Sequence, residues 1–153
     1  MDLWRISNYG SLSGEGGLAF AARWNSAGSR VVYLADSAST ALMEVLVHLE
    51  VRRRQIPLEF LLLRIPVPEG VVIEEIALPA RSNWKNDVAI SQRLGDAWLQ
   101  GQTAALARVP SVILPHAWNY LLNPAHPDAA RIRIAEKSRF RVDERLLRIR
   151  DLS

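Results

Sequence analysis

Polar side chains interrupt two segments of this sequence that are otherwise apolar. Glu44 lies within the run Ala-Leu-Met-Glu-Val-Leu-Val-His-Leu that begins at Ala41, and Arg23 follows two alanines on a predicted strand. A buried charge is costly unless it is paired or used. Glu44 is therefore either half of a structural pair, with an arginine or with His48, or a catalytic carboxylate. Arg23 must either reach solvent or meet an anion.

Four more residues have side chains that could take part in catalysis or in ligand binding. His48 follows Glu44 by four positions, so a helix presents both on one face. Tyr33 stands between apolar residues, and Ser111 lies between Pro110 and Val112. Taken alone, Tyr33 is typical of core packing and Ser111 of a structural hydroxyl. Arg5 interrupts the first predicted strand.

Several common catalytic classes are not supported. The three histidines lie far apart, none in an HExxH spacing, and the chain has no cysteine, so we predict no metal site. The serine hydrolase pattern Gly-x-Ser-x-Gly is absent. The glycine-rich stretch 10–17 lacks the Gly-Lys-Ser/Thr of a phosphate-binding loop.

The sequence pattern predicts short strands mixed with two or three helices, which indicates an α+β fold. These elements must position the candidate residues. Residues 20–24 and 31–34 resemble a hairpin, and residues 36–40 cap a helix over 41–49 that Pro57 ends. The turn-rich stretch 119–127 contains Asn119, Asn123 and His126, whose side chains either satisfy loop backbone groups, as is typical of such a turn, or belong to the site. The other predicted elements are strands over 3–6, 60–65, 71–76, 109–115, 131–134 and 140–142, a helix over 90–100, a helical turn over 104–107, and an ambiguous segment over 143–150.

Length and composition predict one compact domain over residues 1–153. Apolar residues make up 49% and charged residues 23%, as in ordinary globular proteins. No apolar run approaches the roughly 20 residues of a membrane helix, and the N-terminus is unlike a signal peptide, so we expect a cytoplasmic protein without a membrane partner. The net charge of +3 rests mostly on arginines, clustered at 52–54 and 131–150. It is compatible with nucleic acid, an acidic partner or a phosphate-bearing substrate.

Six stretches, taken together and in order, resemble the RES-domain toxins of RES–Xre toxin–antitoxin modules. The family is named for an Arg, a Glu and a Ser, which Arg23, Glu44 and Ser111 match here. The matching stretches are residues 22–28, 31–35, 41–48, 95–99, 109–111 and 119–127.

The resemblance implies an ADP-ribosyltransferase-like fold, with a split, mainly antiparallel sheet core and helices around a cleft. It implies that NAD is a substrate rather than a cofactor, and that its nicotinamide–ribose bond is cleaved with water or phosphate as acceptor. It also implies an Xre-type helix-turn-helix antitoxin as partner. Two alternatives remain: a protein ADP-ribosyltransferase on the same scaffold, and a basic nucleic-acid-binding or RNA-cleaving module, which the absence of an aromatic–basic signature disfavours.

With that resemblance, roles follow from the chemistry of NAD. Cleavage develops positive charge on the ribose, which Glu44 would stabilise. Arg23 or Arg5 would hold the pyrophosphate, since guanidinium groups bind phosphate through two parallel bonds. Tyr33 would stack on the nicotinamide or ribose. The resemblance thus implies that Glu44, Arg23 and Ser111 are the catalytic residues. Ser111 and His48 would hydrogen-bond ribose or phosphate oxygens, or orient Glu44.

Overall fold

The computed structural model describes residues 1–49 and 58–148. The predicted Arg52–Arg54 cluster, the helix-ending Pro57 and the last residues of the basic C-terminal run lie outside the described residues. Within the two described ranges, seven strands form one sheet, accompanied by four α-helices and a 3-10 helix. Their order is β1 (Asp2–Ser7), α1 (Gly16–Ala19), β2 (Val32–Ala35), α2 (Ala38–His48), β3 (Glu59–Pro66), β4 (Ile73–Glu75), α3 (Val88–Gly101), β5 (Leu106–Pro110), β6 (Trp118–Leu122), the 3-10 helix (Pro127–Arg131), β7 (Glu136–Arg141) and α4 (Glu144–Arg148).

The sheet has a seam between its two halves. The strand order is β4-β5-β6-β2-β1-β3-β7, and every pairing is antiparallel except that of β4 with β5. Strand β1 pairs with β3 from Asp2 to Ser7, but it pairs with β2 only at Trp4 and Ala35. The predicted α+β class is therefore confirmed, and the sheet is split between β1 and β2.

Each face of the sheet carries its own core because strand side chains alternate. On one face, Leu3, Val32, Leu34, Leu63 and Leu122 are buried together. On the other, which we call the α3 face, Ala107, Val109 and Leu121 pack against Trp24 and helix α3. Burying a large aliphatic side chain of this kind contributes about 1.5–3 kcal/mol. The two cores fix the register, since a slip of one residue would exchange the faces.

Alternation also decides which polar side chains share the α3 face. Residues opposite each other in neighbouring strands point the same way, and Tyr33 lies opposite Leu121 while Ala35 lies opposite Asn119. Asn119 also lies opposite Val109. Tyr33 and Asn119 therefore project from the same side of the sheet, the side that α3 covers in part.

The predicted hairpin over 20–24 and 31–34 is wrong. Val32–Ala35 is a strand, but it pairs with β6 rather than with the earlier segment. That segment follows the short helix α1 and contains only an isolated bridge between Ala22 and Asn25. It is held by side chains instead of a ladder, because Trp24 is buried in the core beneath α3.

Three other predicted elements are also wrong. Residues 104–107 are not helical, because Leu106 and Ala107 are buried as the start of β5, and burial overrides the helix preference of alanine. The stretch predicted as turn-rich begins with strand β6, and residues 131–134 form no strand because a 3-10 helix extends to Arg131. The two long helices and the strands at 3–6 and 60–65 are confirmed. Within the described residues, no helix combines the length and apolarity needed to cross a membrane.

Candidate active site

The Glu44 carboxylate is held by two side chains from β6 and from the loop after β5. It projects from α2. The N-cap of this helix is Ser37, whose hydroxyl accepts a hydrogen bond from the Thr40 amide at 3.0 Å. Asn119 Nδ2 donates to Glu44 Oε1 at 2.7 Å, and Ser111 Oγ donates to the same oxygen at 3.3 Å. Among residues 1–49 and 58–148, the second oxygen, Oε2, accepts no hydrogen bond.

The direction of the Ser111 hydroxyl proton follows from its other contacts. Ser111 is buried, and its Oγ accepts hydrogen bonds from the amides of Ile113 at 3.1 Å and Leu114 at 3.3 Å. A serine hydroxyl has two lone pairs and one proton. With the lone pairs facing these amides, the proton points to Glu44. Ser111 therefore contacts the carboxylate, one of the two arrangements that the sequence left open.

Tyr33 is anchored by its hydroxyl. Tyr33 Oη donates to Asn25 Oδ1 at 2.6 Å and accepts a hydrogen bond from the Trp24 amide at 3.0 Å. Burial raises the pKa of Tyr33 above its usual value, which the hydrogen bond from Trp24 opposes and the charge of Asp96 reinforces. The hydroxyl stays protonated and fixes the position of the side chain through its two hydrogen bonds. The aromatic ring is the part of Tyr33 that can stack on a ligand.

We expect Tyr33→Phe to destabilise the protein by about 1–3 kcal/mol, because it leaves the Trp24 amide and Asn25 Oδ1 without a partner. Urea unfolding monitored by tryptophan fluorescence measures this loss. Tyr9→Phe is the control, since Tyr9 is 76% exposed and should lose nothing. Equal stability of the two variants would contradict the stabilising role of the Tyr33 hydroxyl.

Helix α3 clamps the segment that carries Arg23. Ser91 Oγ donates to the Arg23 carbonyl at 2.6 Å, and Gln92 Nε2 donates to the Ala22 carbonyl at 2.9 Å. One turn later, Asp96 Oδ1 accepts from the Ser26 amide at 2.9 Å. These contacts explain the predicted importance of residues 95–99, since this part of α3 faces the segment.

The Arg23 guanidinium itself lies against the loop before α3. Its Nη1 donates to the carbonyls of Trp84 at 3.1 Å and Lys85 at 3.3 Å. Both acceptors are backbone groups, so no carboxylate among the described residues neutralises Arg23. The arginine is oriented and keeps its positive charge available for an anion.

Arg5 lies at the seam. Its Nη1 donates a hydrogen bond to the Tyr33 carbonyl at 3.5 Å, where the β1–β2 ladder ends. Its buried Nε has no hydrogen-bond partner among the described residues. Burial lowers the pKa of Arg5 because desolvation disfavours the charged form. Within the described chain Arg5 forms no ion pair, so a buried positive charge at the seam is uncompensated there.

His48 and two of the loop residues have other surroundings. His48 is exposed at the end of α2, and no hydrogen bond joins it to Glu44. As predicted for the loop, Asn123 donates to the Leu99 carbonyl and accepts from the Ala125 amide, and His126 Nδ1 accepts from the Asp128 amide. No group of three His, Cys, Asp or Glu side chains that could hold a metal occurs in the described parts of the chain.

The structure thus brings Tyr33, Glu44 and Ser111 to one side of the sheet, whereas Arg5, opposite Leu63 in the ladder, projects from the other side. Tyr33 lies on the α3 face, its hydroxyl contacts the residue next to Arg23, and Glu44 reaches this face through Asn119. Asn119 is the residue that the sequence misassigned to a turn. The sequence contains a signal for the strand, because Trp-Asn-Tyr-Leu-Leu is a short, mostly apolar run. In a strand, side chains two positions apart point the same way, so Asn119 shares a face with the buried Leu121.

Comparison with known proteins gives the family. The RES domain model matches residues 2–143. The "Toxin Res" of Pseudomonas putida is 44% identical over 147 residues, which cover 95% of this chain and 99% of that protein. The "Prs ADP-ribosylating toxin" of Sphingobium sp. is 39% identical over 142 residues, covering 90% and 87%.

A solved structure supports the architecture independently. The crystal structure of the M. tuberculosis MbcT-MbcA toxin-antitoxin complex contains a chain that matches with a TM-score of 0.73 and 18% identity, covering 91% of this chain and 83% of that chain. At this identity the match concerns the fold alone. With the family model spanning nearly all of the sequence, this chain belongs to the RES domain family.

Proposed function

We propose that this protein is the toxin of a toxin–antitoxin module and that it cleaves the nicotinamide–ribose bond of NAD. The observation that carries the proposal is the Glu44 carboxylate, whose Oε1 is held by Ser111 and Asn119 while Oε2 has no partner in the described structure. A carboxylate oriented by one oxygen and open at the other is suited to contact a substrate hydroxyl. The 44% identical relative named Toxin Res supports the same function.

The proposed reaction is heterolytic cleavage of the glycosidic bond between nicotinamide and ribose. When the bond breaks, both electrons leave with the pyridine nitrogen, which becomes neutral in free nicotinamide, and the ribose acquires oxocarbenium character. Glu44 Oε2 would accept a hydrogen bond from a ribose hydroxyl and stabilise the growing positive charge. Water or phosphate then adds to the anomeric carbon and gives up a proton to solvent.

The two arginines suit the anionic part of NAD. Only backbone carbonyls among the described residues hold the Arg23 guanidinium, so its charge is not neutralised there. A pyrophosphate would supply the anionic acceptor that Arg23 lacks. Arg5 would reach the same group only from the seam, because it projects with Leu3 from the other face of the sheet. Tyr33 would place its ring against the ribose or nicotinamide, with its hydroxyl fixed as described.

The partner that fits this activity is an antitoxin. A free enzyme that consumes NAD would harm the cell that makes it, so a protein that blocks the site is required. The structural neighbour is a chain of a toxin–antitoxin complex, and the family resemblance favours an Xre-type antitoxin with a helix-turn-helix. Co-expression with the neighbouring gene product should relieve toxicity.

The direct test is incubation of the purified protein with NAD, with and without phosphate. We expect release of free nicotinamide, together with ADP-ribose in water or a phosphorylated ADP-ribose when phosphate is the acceptor. Liquid chromatography with mass detection separates these products. Absence of nicotinamide under both conditions would contradict the proposal.

A second candidate is transfer of ADP-ribose to a protein. It is favoured by the 39% identical relative named Prs ADP-ribosylating toxin. The same Glu44 chemistry applies, and only the group that attacks the anomeric carbon differs. NAD labelled in its adenine would leave a covalent label on a protein, whereas hydrolysis and phosphorolysis leave all the label in small molecules.

A further inference from the structure

We infer that Asn119 is a positioning residue of this site: its carboxamide holds one oxygen of the Glu44 carboxylate and thereby aims the other at the substrate. This inference rests on the proposed role of Glu44, but the geometry that supports it does not. Asn119 is the second residue of β6, and its side chain leaves the sheet on the α3 face. The strand is fixed by ladders on both sides, so the carboxamide has a rigid base.

The orientation of the carboxamide is determined by its neighbour. Nδ2 lies 2.7 Å from Glu44 Oε1, the shortest of the hydrogen bonds to this carboxylate. If the amide were flipped, its oxygen would face a carboxylate oxygen at that distance, which is repulsive. The nitrogen therefore faces Glu44, and the oxygen faces away from it.

This orientation leaves the buried Asn119 Oδ1 atom without a hydrogen-bond partner in the part of the chain that the structure describes. The two asparagines that are buried as whole residues are different. Asn123 uses its nitrogen on the Leu99 carbonyl and its oxygen on the Ala125 amide, and Asn25 likewise uses both ends, on backbone carbonyls and on the Tyr33 hydroxyl. Asn25 and Asn123 are thus satisfied at both ends within the described structure. Asn119 differs from them because its donor is placed on a carboxylate rather than on a backbone carbonyl, which is the contact expected of a positioning residue.

Other groups around Glu44 do not replace this donor. Ser111 donates to the same oxygen over the longer distance of 3.3 Å, and His48 on the same helix is exposed. The ionisable groups on the two strands that pack against α2 are Asp2 and Arg5 of β1 and Tyr33 of β2. Within residues 1–49 and 58–148, none of them forms an ion pair or hydrogen bond with Glu44.

The contact itself can be tested in the wild-type chain by NMR, without any assay of NAD. We expect the Asn119 side-chain amide resonance to shift on acidification, as Glu44 takes up a proton, and to lose this response in Glu44→Gln. Asn123 is the internal control, because its amide donates to a backbone carbonyl and should not respond. An Asn119 resonance that ignores pH, or that responds equally in Glu44→Gln, would overturn the inference.

The consequence for activity is tested with Asn119→Asp, which keeps the shape of the side chain. At neutral pH an ionised aspartate has no proton to donate, so the variant loses the donor and places a second negative charge beside Glu44. We expect kcat to fall about tenfold or more while KM for NAD changes little, since a small displacement of a reacting group has effects of that order. Acidification should partly restore the variant, because a proton shared by the two carboxyl groups recreates a donor.

Asn8→Asp is the matched control, since Asn8 is exposed and lies beside Phe60 and Arg139 at the other end of the sheet. A purely structural Asn119 would give a lower melting temperature with the wild-type pH profile, and that result would contradict the inference. If Asn119→Asp does not fold, the NMR titration decides. If the wild type releases no nicotinamide, the proposed function fails while the titration still tests the contact.

Discussion

Glu44→Gln is expected to lower nicotinamide release about 100-fold or more, the order measured when a single preorganised electrostatic contact to a transition state is removed. The substitution keeps the size of the side chain and an oxygen that can accept from both Ser111 and Asn119. It removes the negative charge that would oppose the charge developing on the ribose. The effect should therefore fall on kcat, with KM for NAD changing much less.

The control for this variant is Glu59→Gln. Glu59 is an exposed residue of β3 that pairs with Arg141 over 3.6 Å, and an exposed pair of this kind contributes little. Both variants should melt close to the wild type. A Glu44→Gln protein that is folded and fully active would remove Glu44 from the chemistry and the proposed mechanism with it.

Gly95→Ala should have the largest effect among substitutions away from the carboxylate. A Cβ at Gly95 would lie 1.7 Å from the Trp24 carbonyl oxygen, so either α3 or the segment beneath it must move. Overpacking of this kind costs about 1–3 kcal/mol or more, and for a chain of this length each kcal/mol lowers the melting temperature by about 2–4 °C. Because Arg23 precedes Trp24, we also expect KM for NAD to rise.

Gly101→Ala provides a control on the same helix. A Cβ there meets nothing within 4 Å, and Gly101 is the last residue of α3. Alanine has the better helix propensity, so this variant should be as stable as the wild type or gain up to about 1 kcal/mol. Thermal unfolding of the two variants side by side separates close packing from helix propensity. Equal melting temperatures would show that Trp24 does not depend on the glycine.

The sequence predicted the elements whose signals are local. Helix α2 has a serine cap and an apolar run, and β1 and β3 have alternating apolar residues. The segment around Trp24 has the composition of a strand but forms only the isolated bridge between Ala22 and Asn25, since its fold depends on contacts with α3 about 70 positions later. Propensity within a short window contains no information about such a partner.

The candidate site was predictable in its residue types but not in its contacts. Arg23 and Glu44 stood out individually as charges on apolar segments, whereas Tyr33 and Ser111 were predicted as site residues only through the family resemblance. Glu44 does contact Ser111. The contact of Asn119 with Glu44 joins residues 75 positions apart and depends on the register of β6. The sequence predicted a turn there because Asn123, Pro124 and Pro127 are strong turn signals, and they obscured the preceding strand.

Strand β7 has one further consequence, for self-association. It pairs with β3 on one side, and within the described residues no other strand pairs with it. An open edge of this kind can recruit the same edge of another molecule, but β7 reads Glu-Lys-Ser-Arg-Phe-Arg. Two such edges would have to bring several positive side chains together with few negative ones, and the repulsion opposes cross-molecule strand pairing. Concentrated solutions of the protein should therefore resist fibril formation from this end of the sheet.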